Sequence, residues 1–118
     1  MAELEALRAC GLDTEEGLAC CADDPEFYEE MLAEYLSEGE DRQAELRALY
    51  AARDWKNYAI RAHSLKSTSR MIGAKALSES ARELELAARA ENAAGIAEAH
   101  GPFLAQYAAL LDALRAAL

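Results

Sequence analysis

Apolar residues recur along much of this chain at spacings of three and four, the period of an amphipathic helix. The cleanest stripe is Trp55, Tyr58, Ala62, Leu65, Ser69 and Ile72, with successive spacings of 3, 4, 3, 4 and 3. Leu77, Ala81, Leu84 and Ala88 form a second stripe, and Ile96, Phe103, Tyr107, Leu110 and Leu114 a third. A fourth reads Tyr28, Met31, Tyr35, Arg42, Leu46 and Leu49. Gly39 falls near this last seam, where a kink, a break and a close helix contact are all open.

Turn residues divide these stripes into elements. A short helix over about residues 2–10 ends at Gly11, and Asp13 with Glu16 three residues on reads as a capping box for a second that fades near Ala22. Asp24-Pro25 is an N-cap followed by proline at the first helical position, and opens a long helix towards Arg53. Asp54 caps the next, from Trp55 to about Ile72, which Gly73 closes. Another follows from about Ala74 to Ala90, and Asn92 caps the last, whose first third Pro102 should disturb. The expected fold is all-α: an antiparallel up-and-down four-helix bundle over about 25–117, with one or two short N-terminal helices over about 2–22. At 118 residues this is one domain, 1–118.

Composition supports a folded helical protein. Apolar residues make up 53% of the chain, and alanine, the best helix former, supplies about a quarter of it. Every apolar run is interrupted by a charge, so no membrane span is expected, and Glu3 and Glu5 stand where a secretory signal would be basic. The cytoplasm is the default location. Cys10, Cys20 and Cys21 are odd in number, and the adjacent pair points in different directions on a helix, so neither a disulfide framework nor a metal site is expected. All three read as small, reduced, partly buried residues.

A net charge of −10 argues against nucleic acid and anionic membranes as partners. The distribution is uneven, however. Arg53, Lys56, Arg61, Lys66, Arg70 and Lys75 are half of the chain's 12 basic residues, and Asp54 is the one acid among them. The helix they share is thereby marked for an anionic partner. On a helical wheel His63 lies roughly 130° from the centre of that helix's apolar stripe, so it faces outward. Lys56, Ile60, Ser67, Arg70 and Met71 are its outward neighbours, with Lys66 at the margin. Two apolar residues on the outer face of an amphipathic helix suggest a docking surface.

The run Ala62-His63-Ser64-Leu65-Lys66-Ser67-Thr68-Ser69-Arg70-Met71-Ile72-Gly73-Ala74-Lys75-Ala76-Leu77 resembles the signature of histidine-containing phosphotransfer (HPt) domains: His-x-Leu-Lys-Gly, small residues, an apolar residue, Gly-Ala and Leu. Asp54-Trp55, Leu84-Glu85 and Asp24-Pro25-Glu26-Phe27-Tyr28 sit where that family has similar residues, so the resemblance covers roughly residues 12–112. It implies that His63 is the phosphoacceptor, that Lys66 helps neutralise the phosphoryl group, that Gly73 ends the helix, and that Leu65 and Leu77 are core. Ser67 departs from the usual glycine; its hydroxyl can reach the imidazole ring or the phosphate. Ser67 and Arg70 would form the phosphate environment, and Lys56, Ile60, Ser64 and Met71 the docking surface.

The resemblance further implies a phosphorelay intermediate that takes a phosphoryl group from a receiver-domain aspartate and passes it to another. Its partners are response-regulator receiver domains or a hybrid histidine kinase, and the chain itself is expected to be a monomer. An imidazole with an ordinary pKa near 6.5 is mostly uncharged at neutral pH and offers a nucleophilic nitrogen, here the distal one. Transfer then needs in-line positioning and charge stabilisation. No cofactor is expected on this chain; Mg²⁺ would come from the receiver's acidic pocket. The chain lacks a nucleotide-binding G-x-x-x-x-G-K-[ST] loop, so it is not expected to be a kinase.

Two other functions bear comparison. A bundle that binds receivers without being phosphorylated would be favoured by a changed histidine or lysine, and both are present. A carboxylate-bridged metal enzyme needs Glu-x-x-His pairs, and no Glu stands three residues before His63 or His100. His100, with no basic residues around it, is read as structural or incidental. Met1 and the compact ends favour a free-standing protein over the histidine-bearing end of a larger kinase.

Overall fold

The structure, a computed structural model, describes residues 4–118, and these form six helices: α1 (Leu4–Ala9), α2 (Thr14–Cys20), α3 (Pro25–Ala52), α4 (Trp55–Met71), α5 (Lys75–Arg89) and α6 (Ala93–Ala117). The expected start of the first helix at residue 2 lies outside the described residues. None of these helices is long and apolar enough to cross a membrane.

The capping residues read from the sequence accept the first-turn amides expected of them, but the Asp13–Glu16 capping box is only half made, since the Asp13 amide donates to the Gly73 carbonyl and Glu16 pairs with Lys75. Asp13 accepts from the Glu16 amide, Asp24 from Glu26 and Phe27, Asp54 from Asn57, and Asn92 from Gly95. Each satisfies an amide that the first helical turn leaves without an intrahelical partner. Short turns force α3, α4, α5 and α6 to run antiparallel. α4 packs chiefly on α5, α5 on α6, and α3 closes the ring against both α4 and α6. The chain turns between α4 and α5 at Gly73, whose φ of +87° suits a residue without a side chain. An added Cβ there would also collide with the Asp13 carbonyl, because the Asp13 amide donates to the Gly73 carbonyl at 2.9 Å.

The core follows the sequence stripes on α4 and α5. Tyr58, Ala62, Leu65, Ser69 and Ile72 are buried, Trp55 is half-buried, and Leu77, Ala81, Leu84 and Ala88 are all buried. On α3 the expected seam is partly wrong. Leu32, Gly39 and Gln43 are buried, whereas Met31, Arg42 and Leu49 are half-buried. α3 touches two neighbours, so its buried stripe lies between them and not along the most apolar line. Gly39 does not break the helix. It lets α3 pass close to the Leu111 side chain, which an added Cβ would strike.

α6 needs a second correction. Helix α6 runs unbroken through Pro102. Proline removes one amide, leaving the Glu98 carbonyl without its usual donor; both residues are exposed, so water can satisfy it. The face of α6 is also wider than its stripe: Leu104 and Leu111 are buried beside Ile96, Phe103, Tyr107 and Leu114, while Leu110 is half-buried. The cysteines are free, with Cys21 buried, Cys10 half-buried and Cys20 exposed, so Cys20 departs from the expected burial.

His100 is a core residue. Its ring stacks on Tyr50 with centroids 4.0 Å apart, and its Nδ1 lies 2.8 Å from the Tyr58 hydroxyl. Burial, with the nearby Arg47 charge, pushes its pKa below the ordinary 6.5. Folding therefore favours the neutral ring. The stability this gives is complete above pH 6.5 and is lost as pH falls through the depressed value. Thermal melts between pH 7.5 and 5 should show the melting temperature falling on the acid side, and His100→Gln should flatten that fall. An unchanged slope in the variant would assign the acid sensitivity elsewhere.

Candidate functional site

On α4 the polar face is turned to solvent as the wheel requires. The His63 side chain is 53% exposed, and Ser64, Ser67, Lys56 and Arg70 are exposed around it. Ile60 and Met71 are exposed to 49% and 39%, far more than core residues of their size. Leu65 and Leu77 are buried, and Gly73 closes the helix.

Sequence reasoning missed the centre of this site. Glu85, on α5, is a buried carboxylate that meets three groups of opposite charge or donor character. His63 Nδ1 lies 2.9 Å from its Oε2, and Lys66 Nζ donates to Oε1 at 2.9 Å. Arg89, one turn along α5, donates to Oε2 through Nε and Nη2 at 3.0 and 2.8 Å. Burial pushes the Glu85 pKa up, but the hydrogen bonds from Lys66, Arg89 and His63 outweigh it and hold the group at about 2. Glu85 is thus ionised at neutral pH and can only accept.

That fixes the imidazole. Since an ionised carboxylate has no proton to give, Nδ1 must be the donor. In the neutral ring the lone pair is then on Nε2, the distal nitrogen. One carboxylate against two cations leaves a net positive charge around Glu85, on the Nδ1 side of the ring. The arrangement offers a nucleophile of fixed tautomer, a carboxylate able to stabilise positive charge growing on the ring, and two cations held on that same carboxylate.

Other sequence-derived site residues sit differently from expectation. The Ser67 hydroxyl donates to the His63 backbone carbonyl at 3.2 Å and not to the imidazole ring. Such a back-bond is what serine does inside a helix when no better acceptor is near. The basic helix is also less free than its sequence suggests. Arg61 pairs with Glu45, Lys66 with Glu85, Lys75 with Asp13 and Glu16 at 2.9 and 2.7 Å, and Arg70 approaches Glu16 at 4.0 Å. Only Arg53 and Lys56 of the six have no ion pair among the described residues. The acids that pair the others come from other helices, which a count along one segment does not see.

A signal for Glu85 was available. It falls between Leu84 and Ala88 on the stripe side of α5, where an acid must be paired, and Arg89 follows at the four-residue spacing of a helical ion pair. Lys56, Ala59, Ile60, Ala88, Arg89 and Glu91 line a cleft of about 500 Å³ beside it, open between α4 and α5. Leu86, 51% exposed, adds a third apolar side chain to those exposed on α4 and α5.

Comparison with known proteins finds a family match over most of the chain. The family model of the Hpt domain covers residues 30–117, about three quarters of the chain. Neither a curated protein nor a solved structure matches the chain significantly.

Proposed function

Because the chain belongs to the Hpt domain family, whose members are phosphotransfer modules of two-component signalling, we propose that His63 is its phosphoacceptor and shuttles a phosphoryl group between receiver-domain aspartates. The observation that carries this reading is the His63–Glu85 hydrogen bond, which leaves Nε2 as the exposed nucleophile. In acceptance, the Nε2 lone pair forms the nitrogen–phosphorus bond. The phosphorus–oxygen bond to the partner's aspartate breaks, and its electron pair returns to that carboxylate. Nδ1 keeps its proton, and Glu85 stabilises the positive charge that the ring acquires. Donation to a second aspartate is the same step in reverse. The chain supplies half of an active site; the receiver's acidic pocket supplies Mg²⁺.

Lys66, one turn along α4 from His63, is a cation able to turn from Glu85 towards the phosphoryl group, which brings close to two negative charges. Lys66→Ala should slow transfer about tenfold, equivalent to about 1.4 kcal/mol. Single-turnover kinetics with a phosphorylated receiver measure this, and a parent-like rate would remove Lys66 from the chemistry. Ile60 and Met71 belong to the docking surface. Replacing either by alanine should weaken receiver binding by roughly 1 kcal/mol, as truncations of interface anchors do. The same changes should alter fold stability by no more than about 0.5 kcal/mol, because both side chains are exposed and neither belongs to the buried core. Titration calorimetry and thermal melts read the two quantities separately; lost stability with intact binding would make them core residues.

The reading as a whole is tested by incubating the chain with phosphorylated receiver domains. Acid-labile, alkali-stable phosphate should appear on it. Binding without labelling would instead make the chain an interaction module.

A further inference from the structure

The segment before the family match is tied to the far end of the His63 helix. Asp13 and Gly73 share a backbone hydrogen bond, and the Tyr28 hydroxyl donates to the Ile72 carbonyl at 2.8 Å. Gly17 lies so close under the Tyr28 ring that an added Cβ would meet it at 2.6 Å, which seats α2 firmly. This docking carries two carboxylates, Asp13 and Glu16, to the Gly73 end of the exposed face. There they hold Lys75, and Glu16 also approaches Arg70. Glu79 lines the same shallow pocket. The opposite end of the face is unlike it. Lys56 has no ion pair among the described residues, and with Ile60 and Arg89 it borders the larger cleft.

The face therefore has a polarity of net charge: Lys56 and Arg89 outnumber Glu91 at the Trp55 end, Asp13, Glu16 and Glu79 outnumber Arg70 and Lys75 at the Gly73 end, and His63 stands midway. Lys56 and Arg70 each stand seven residues from His63, about 10 Å along the axis. That is about one Debye length at physiological salt, so charges at the two ends act weakly on the reacting group and strongly on whatever covers them.

We propose that Glu16 is a specificity residue that orients the receiver partner on this face. The receiver that fits places a carboxylate and an apolar side chain over the Lys56–Ile60 cleft, and a basic side chain against Glu16. The inference rests on the reading of this face as a receiver-docking surface, and adds to it a residue outside the family match and the charge pattern its partner must carry.

The test uses the full chain and a receiver domain that transfers to the parent, with Glu16→Gln and Glu16→Lys as variants. Glu16→Gln keeps the backbone amide that Asp13 caps, so the fold should persist. At low salt, Glu16→Lys should raise the KM for the phosphorylated receiver about tenfold and Glu16→Gln about threefold, with kcat unchanged, as expected of a rim charge. Both differences should shrink at high salt. Labelling of His63 by phosphoramidate, a small donor that needs no docking surface, should proceed at the parent rate in both variants. An unchanged KM in Glu16→Lys would overturn the proposal, and so would an equal loss in phosphoramidate labelling, which would show that Glu16 acts through the fold. If the parent itself accepts nothing from any phosphorylated receiver while phosphoramidate labels it, the docking reading fails first, and this inference with it.

Discussion

The His63→Gln variant is expected to take up no phosphoryl group from a phosphorylated receiver, while melting within about 3 °C of the parent. The first half follows from chemistry. Glutamine has no ring nitrogen with an available lone pair, and its amide is not a nucleophile at neutral pH. The second half follows from position, since the imidazole is more than half exposed and its one side-chain partner, Glu85, keeps Lys66 and Arg89. Glutamine can also offer its amide hydrogens to Glu85, at much the place where Nδ1–H was. Radiolabel transfer and circular dichroism melts on the same preparation check both halves. Residual labelling would mean a second acceptor, and His100 is a poor one, buried and stacked on Tyr50.

Glu85→Gln has the second largest expected effect. The neutral amide no longer obliges Nδ1 to be the donor: its NH₂ can donate to Nδ1 and so favour the tautomer with the proton on Nε2, which blocks attack. It also ceases to stabilise positive charge on the ring. Loss of a partner that orients a functional histidine typically costs between tenfold and a hundredfold, so transfer should slow by about that range. Glu85→Ala should slow it comparably, which separates loss of the carboxylate from gain of a wrong donor. Stability should drop by roughly 2 kcal/mol at neutral pH, since four part-buried hydrogen bonds from three side chains end on this group. The sign of its pH dependence is fixed. The folded-state pKa is depressed, so the parent's advantage is complete above the ordinary value of 4.5 and disappears as pH falls towards about 2. Denaturant titrations of parent and variant should show a gap at pH 3 that is less than half the gap at pH 7. A constant gap would mean that Glu85 stabilises by packing alone.

What the sequence revealed and what it hid divide along a physical line. Local interactions were legible: N-caps at Asp13, Asp24, Asp54 and Asn92, the proline after Asp24, and the buried stripes of α4 and α5 depend on neighbours within a turn or two. The outward placement of His63 followed from the same periodicity. Contacts between helices were not legible. Glu85 reaches His63 and Lys66 from another helix, and Asp13, Glu16 and Glu45 silence cations that look free along the chain. The α3 seam was misread because that helix faces two neighbours, one of them across Gly39. Pro102 was misread because proline was weighed without its exposure. Water on that side of α6 makes the missing amide tolerable, and the buried face continues past it from His100 to Phe103.

The central claim concerns one atom, Nε2 of His63. The direct measurement is phosphorus–nitrogen NMR on the ¹⁵N-labelled chain after transfer from a phosphorylated receiver. The account predicts a single phosphohistidine with phosphorus coupled to Nε2 of His63, and Nδ1 on the side of Glu85. Phosphorus on Nδ1, on His100, or on any residue other than His63 would contradict it.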